Sequence, residues 1–339
     1  MEPSPLHGVN LGGWLVLERW MTPSLFKGTD AIDEYTLMST PGAAERLREH
    51  WRTWITEEDF RWMAANGLNA VRIPVGYWVL EGDPPFLPAN DQLDWAMEMA
   101  AKHNLQVVID VHGLPGSQNG NDHSGRVGRA EWFRRRQHRV ESLKAVVKIA
   151  RRYRDYPNLW GFQIINEPKL GLFHFKLRKY YREAYERLVT ILRPHTRFIY
   201  SDGFTPRLLS NVLGWAKHPV VMDVHLYHMA TMGAKHRPFE WYWGKMQRRR
   251  QVLRRLARRH PLIIGEWSGV ISGETMRSIP PPDHQELFRR YVRDQLEQYE
   301  EHAGWFYWSY KTEEPGQWNF RSMVEAGLIE LPESSARRR

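Results

Sequence analysis

The sequence contains no cysteine, which excludes disulfides, thiol catalysis and thiolate metal sites. No apolar run approaches the roughly 18 residues that a membrane-crossing helix needs. The first residues, Met1-Glu-Pro-Ser-Pro5, lack the charged stretch and apolar core of a signal peptide. As it stands the chain is therefore expected to be cytoplasmic; the alternative is a secreted or periplasmic protein whose export signal is absent from this chain. There is no low-complexity segment and no internal repeat. No Gly-x-Gly-x-x-Gly follows an early apolar run, which disfavours an open dinucleotide-binding sheet.

What is present suits a large globular core. The chain has 339 residues, 42% hydrophobic and 26% charged, ordinary values for a folded soluble domain. Lys and Arg exceed Asp and Glu by 48 − 39, a net charge of +9. Much of that excess lies between Lys245 and His260. Its spacing predicts an outer helix whose Val252, Leu253, Leu256 and Ala257 face the core and whose charges face solvent. Nucleic acid is not the expected partner, because the cations have no interleaved aromatics. The sixteen tryptophans supply flat rings with a polar edge, a surface that suits sugars.

Two stretches share one grammar. Leu159-Trp-Gly-Phe-Gln-Ile-Ile-Asn-Glu-Pro168 is an apolar run ending in Asn166, Glu167 and Pro168. Pro261-Leu-Ile-Ile-Gly-Glu-Trp-Ser268 is another, ending at Gly265 and Glu266. Runs of this kind read as strands buried on both faces, as in a parallel sheet. Each then delivers a glutamate to a strand's carboxyl end, where α/β folds place their chemistry. A facing carboxyl pair is what cleavage of a glycosidic bond uses.

Six further short runs have the same character: His7–Gly12, Asn69–Val75, Gln106–Gly113, Arg197–Asp202, Pro219–Tyr227 and Gly304–Tyr310. Most are separated by helical periodicity. Thr56 to Asp59 resembles a capping box opening one helix. Helices are expected over Asp91–His103, over about 25 residues before the fourth strand, and over Phe175–Arg193, Pro206–Trp215 and the segment capped by Asp283. A long loop is expected between the first strand and Thr56. Eight alternating units predict a single-domain α/β protein, a (β/α)8 TIM barrel over residues 1–335, with 336–339 a basic tail. In such a barrel His112, Asn166, Glu167, His225, Tyr227, Glu266 and Trp308 converge on one rim, while Arg72 lies inside the second strand, where a charge needs a partner.

The set resembles glycoside hydrolase family 5. Within it, Gly8-Val-Asn-Leu-Gly-Gly-Trp-Leu-Val-Leu-Glu18, Thr22-Pro-Ser-Leu-Phe26 and His112-Gly-Leu-Pro-Gly-Ser-Gln-Asn-Gly120 with Ser124-Gly125 are similar to exo-β-1,3-glucanases of the fungal type. The resemblance implies a retaining hydrolase with Glu167 as acid/base and Glu266 as nucleophile. It also implies that Asn166 holds the sugar 2-hydroxyl and that Arg72 and Tyr227 keep the nucleophile oriented and ionised. His112, His225 and Trp308 would line the subsite of the cleaved sugar, and Glu18 would reach the same sugar. The expected ligand is a β-glucan or glucose-containing oligosaccharide. Such chemistry asks for a raised pKa at Glu167 and an ionised Glu266.

The chain departs from the fungal pattern at Asn121, where those relatives carry a phenylalanine at the acceptor entrance. Trp241 and Trp243 are candidates for a replacement platform. The alternatives are a β-glucan transglycosylase or an endo-β-glucanase and, more remotely, a non-catalytic glucan-binding protein. No cofactor and no metal site is expected: His225 and His228 have ligand spacing but lie on a strand, where their side chains point to opposite faces. Asp122 and His123 read as loop polarity.

Overall fold

The computed structural model describes residues 4–169, 174–228 and 237–331; the basic tail expected at 336–339 lies outside them. Eight strands run β1 (Leu6–Asn10), β2 (Ala70–Gly76), β3 (Gln106–Gly113), β4 (Leu159–Gln163), β5 (Arg197–Ser201), β6 (Val220–Leu226), β7 (Leu262–Trp267) and β8 (Gly304–Tyr307). All pair in parallel with their sequence neighbours, and β8 closes on β1. The expected (β/α)8 barrel is therefore present.

Period-two alternation builds the barrel interior in layers. Leu6, Ala70, Val108, Trp160, Ile199, Val221, Ile263 and Phe306, one from each strand, form a buried apolar cluster of their own. Two residues further along four of these strands stand Arg72, Asp110, Ser201 and Asp223, all buried. The next step along β3 and β6 brings His112 and His225. Sequence order thus becomes height: an apolar floor, then a polar layer, then the rim. The larger apolar cluster lies outside the strands and binds the helices to them.

Several elements differ from expectation. The loop after β1 contains a helix, Ala43–Trp54, that buries Leu47, His50 and Trp51; its mean hydropathy is low, so its narrow apolar stripe is easily overlooked. The helix at Pro206 lasts one turn, to Leu209, since Asn211 and Gly214 disfavour continuation. The helix before β4 spans Arg136–Tyr153, shorter than expected because Glu131–Phe133 form a separate 3-10 turn. The capping box at Thr56 and Asp59 is present, whereas Asp283 makes no side-chain cap bond. The helix Phe239–Ala257 buries Leu253 and Leu256 as expected. Among the described residues no helix is long and apolar enough to cross a membrane.

Candidate active site

Glu167 lies beyond the end of β4, not on it. The ladder stops at Gln163, and Glu167 adopts φ 40, a left-handed conformation that no strand can carry and that side chains other than glycine seldom adopt. Glu266 is within β7. Its inward direction depends on a register shift against both neighbouring strands near Gly265. Adjacent strand residues normally face opposite sides, and a bulge lets two consecutive ones face in. Gly265 leaves no room for anything larger: a Cβ there would lie 2.0 Å from Asp223 Oδ1. Gly265→Ala is expected to push Asp223 and the strand apart, costing roughly 1–3 kcal/mol, the usual range for overpacking. A thermal melt of the purified variant checks this.

Arg72 is the hub of the polar layer. Its guanidinium donates to Asn10 Oδ1 (2.7 Å), Gln163 Oε1 (3.1 Å), Asn166 Oδ1 (2.9 Å) and Glu266 Oε1 (3.0 Å), and it lies 3.0 Å from Asp110 and 3.6 Å from Asp223. Burial opposes its charge, but Asp110, Glu266 and Asp223 outweigh burial and raise its pKa. Tyr227 donates to the other Glu266 oxygen at 2.9 Å. Glu266 is thus clamped from two sides.

A second chain of bonds fixes Asn166 and His112. The Asn166 amide nitrogen, a donor only, sits 3.2 Å from His112 Nε2. His112 Nε2 must then accept, so Nδ1 carries the proton toward Asp110, 2.6 Å away. Burial, joined by the nearby His123 and Arg72, holds the His112 pKa well below its usual value, consistent with a neutral ring. Gln118 from the glycine-rich loop donates to the carbonyls of His112 and Asn166. That loop is therefore a brace for the strand ends.

His225 joins the two glutamates. Its Nδ1 is 2.7 Å from Glu167 and 3.3 Å from Glu266, and its Nε2 is 3.0 Å from Asp223. Carboxylates on both ring nitrogens favour the imidazolium: burial lowers its pKa, but Glu266 and Asp223 raise it well above the ordinary value. The consequence reverses the expected proton placement. Burial raises Glu167, yet the His225 hydrogen bond and the His225 and His123 charges outweigh it and hold the carboxyl at about 2. Burial pushes Glu266 up to about 7 despite the pull of His225 and Arg72. Two carboxyls this close do not both ionise readily, and His225 draws the charge onto Glu167.

One oxygen of Glu167, one of Glu266 and a His225 nitrogen all lie within 4.8 Å of one another. They open into a cavity of about 540 Å³, whose lining also includes Glu18, His112, Tyr227 and Trp308. The structure so brings together all nine residues singled out in the sequence: seven line the cavity, and Arg72 and Asn166 lie directly beneath it. Trp308 stacks on His112 at 5.5 Å and 9°. Glu18 accepts from Trp20; burial, with Asp122 nearby, raises its pKa well above that of a free glutamate. Three ligand-type atoms are thus close enough to hold a cation, at a place other than the His225/His228 pair. Both Glu266 oxygens are already engaged by Arg72 and Tyr227, however, and a cation would compete with a guanidinium.

Sequence reasoning missed several residues. His123 is not mere loop polarity: its Nε2 lies 3.5 Å from Glu167. Trp20, Phe204 and Trp318 form aromatic walls of the cavity, whereas Trp241 and Trp243 do not line it. Trp20 and Trp318 pair at 5.3 Å, and Phe204 meets His225 edge-on at 6.4 Å. Asp110 and Asp223 had a legible signal, a single acid inside a valine-rich run. Arg249, expected to face solvent, reaches the cavity wall.

A family model described as Cellulase (glycosyl hydrolase family 5) matches residues 34–314. The chain is similar to a protein named probable glucan 1,3-beta-glucosidase A from Emericella nidulans, 35% identical, over 96% of this chain and 90% of that one. It is also similar to a glucan 1,3-beta-glucosidase of Blumeria graminis, 34% identical over 96% and 87%. Among solved structures, rutinosidase from Aspergillus niger superposes with a TM-score of 0.80 at 22% identity, covering 96% of this chain and 98% of that one. Endoglucanase Cel5A from Thermotoga maritima gives 0.59 at 19% identity, covering 94% and 93%. At those identities the structural likeness establishes the fold.

Proposed function

Since the chain belongs to glycosyl hydrolase family 5 and is a glycoside hydrolase, we propose that it is a retaining β-glucan hydrolase acting from chain ends on β-1,3-glucan, with Glu266 as nucleophile and Glu167 as acid/base. The observation that carries this reading is the closeness of the two carboxyl groups, an oxygen of one lying within 4.8 Å of an oxygen of the other. Retaining pairs stand about 5–5.5 Å apart, whereas inverting pairs leave about 6.5–9.5 Å for a water. The β-1,3 preference follows the names of the relatives that cover nearly the whole chain.

In the first step Glu266 attacks the anomeric carbon while Glu167 gives its proton to the glycosidic oxygen, which leaves as an alcohol. The product is a glycosyl ester on Glu266. Esterification removes the Glu266 charge, and Glu167, now ionised, takes a proton from water as the water attacks the anomeric carbon and the ester bond breaks, releasing the sugar and restoring the Glu266 carboxylate. Asn166 is held by Arg72 and His112 at the height of the pair, suited to a sugar hydroxyl. The productive state needs the proton on Glu167, which the hydrogen bond and charge of His225 disfavour. His225 touches both carboxyls and is the natural route for the transfer.

Incubation with β-linked glucans and mass spectrometry of the products tests this directly. Release of single glucose units supports the proposal. Longer oligosaccharides would mean transfer to sugar, and mid-chain fragments would mean endo action.

The coupling of the pair gives a further expectation. The negative charge of Glu167 helps to raise Glu266. In Glu167→Ala that repulsion is gone, so the Glu266 pKa falls. The nucleophile then stays ionised to lower pH, and the acid limb of kcat/KM for an activated aryl glycoside shifts downward. Added azide, which needs no general base, should restore turnover. An unchanged acid limb would mean that Glu266 is not the group titrating.

A further inference from the structure

One arginine lines the cavity itself, and its surroundings are unlike those of Arg72 beneath it. Arg72 is met by Asp110, Asp223 and Glu266. Arg249 reaches the cavity from the helix Phe239–Ala257, and among the described residues no carboxylate lies within ion-pair distance of it. Its hydrogen-bond partner is His228 Nδ1, at 3.4 Å. Burial and the neighbouring Arg249 and Lys245 hold the His228 pKa well below its usual value, so the ring is neutral and accepts from Arg249 without balancing its charge. The segment 229–236 contains no Asp or Glu. Nearby, Lys245 Nζ donates to the His228 carbonyl, so two cations converge on one histidine. Bringing a guanidinium to a half-buried wall with no anion in contact is costly: burial lowers the Arg249 pKa, and Asp202, beyond ion-pair distance, offsets this only in part. The cost is compensated if the anion arrives with the ligand, where a planar fork can bind two oxygens at once.

We infer that Arg249 is a specificity-determining residue that receives an oxyanion of the substrate, so that the preferred glycosides carry a carboxylate, sulfate or phosphate group. The inference rests on the hydrolase reading above and narrows its substrate class. The same pocket then uses opposite charges for separate tasks. Glu18, Glu167 and Glu266 address sugar hydroxyls and the anomeric centre, and Arg249 addresses the substituent. A neutral glucan fills the first set of contacts and brings no anion to Arg249, whose hydrogen-bond partner among the described residues is His228.

The test compares substrates that differ only in charge. One pair is laminaritriose oxidised to its aldonate and the same trisaccharide reduced to its alditol. The other is a nitrophenyl β-glucoside with and without a phosphate on its primary hydroxyl. In at least one pair the anionic member is expected to show kcat/KM about tenfold above its neutral twin, the scale of one charge-assisted hydrogen bond. In Arg249→Gln that ratio should fall toward one. Arg249→Lys, which keeps the charge but not the fork, should retain part of it and carries the comparison if the glutamine variant does not fold. Hydrolysis of the neutral members with no preference for either anionic twin overturns the inference and leaves the hydrolase reading standing. A preference that survives both variants overturns it as well. Failure to cleave any of the four substrates removes the hydrolase reading, and the inference with it.

Discussion

Glu266→Gln is expected to lower kcat by about 10⁴-fold or more, the scale seen when a nucleophile that forms a covalent intermediate is removed. The fold should survive. Glutamine has nearly the same shape, its carbonyl oxygen can still accept from Arg72, and its amide can donate to the Tyr227 hydroxyl, which at present donates to Glu266 at 2.9 Å. What is lost is the carboxylate that attacks carbon. Turnover of an aryl β-glucoside and a melting curve, both on the purified variant, separate chemistry from folding. Residual activity within about tenfold of the native enzyme would reject Glu266 as nucleophile, and no defect elsewhere could rescue that role.

Arg72→Met is expected to cost stability more than any other substitution in the site. The guanidinium is fully buried and is the shared partner of Asp110, Asp223 and Glu266. Removing one member of a buried charge cluster leaves the others uncompensated, a loss of about 3–5 kcal/mol. Asn10, Gln163 and Asn166 would also lose the donor to their side-chain oxygens. The penalty should depend on pH, and its sign can be worked out. Asp110 and Glu266 are already pushed above their unfolded values by burial, and without Arg72 the folded-state pKa values of all three carboxyls rise. The folded variant then binds more protons than the unfolded chain, so its stability falls as pH rises. The gap in melting temperature between variant and native protein should therefore be wider at pH 8 than at pH 5. A gap that is equal at both values would mean that the carboxyls find another counter-charge.

Both predictions rest on a polar layer that the sequence showed only in outline. Asp110 and Asp223 each interrupt a run of valines, and each stands two residues before a histidine that reaches the cavity. That pattern places them on the inward face of a strand. It does not tell that they share one arginine from β2, because Arg72 meets residues from β1, β3, β4, β6 and β7, and only barrel closure brings those strands to one axis. The same limit applied to the pair. Glu167 and Glu266 were legible as strand-end acids, but the left-handed turn at Glu167 and the bulge at Gly265 aim them, and both are local departures from strand geometry that an apolar run conceals. His123 comes from a single 3-10 turn, Asp122–Ser124, and Phe204 from the turn after β5, segments too short for periodicity to mark a direction.

The sequence by itself determined the eight-unit barrel and the candidate carboxyls. Alternation of apolar strands with amphipathic helices leaves few ways to bury both faces of a parallel sheet, and proline or glycine beside each acid marks where the strand must yield. Only the tertiary structure decided how protons and charges are shared: that His225 bridges the two acids, that Arg72 faces three carboxylates, and that among the described residues no carboxylate lies within ion-pair distance of Arg249. Those facts depend on separations of a few ångströms between residues far apart in the chain, and electrostatic energies in a dry interior change steeply over such distances.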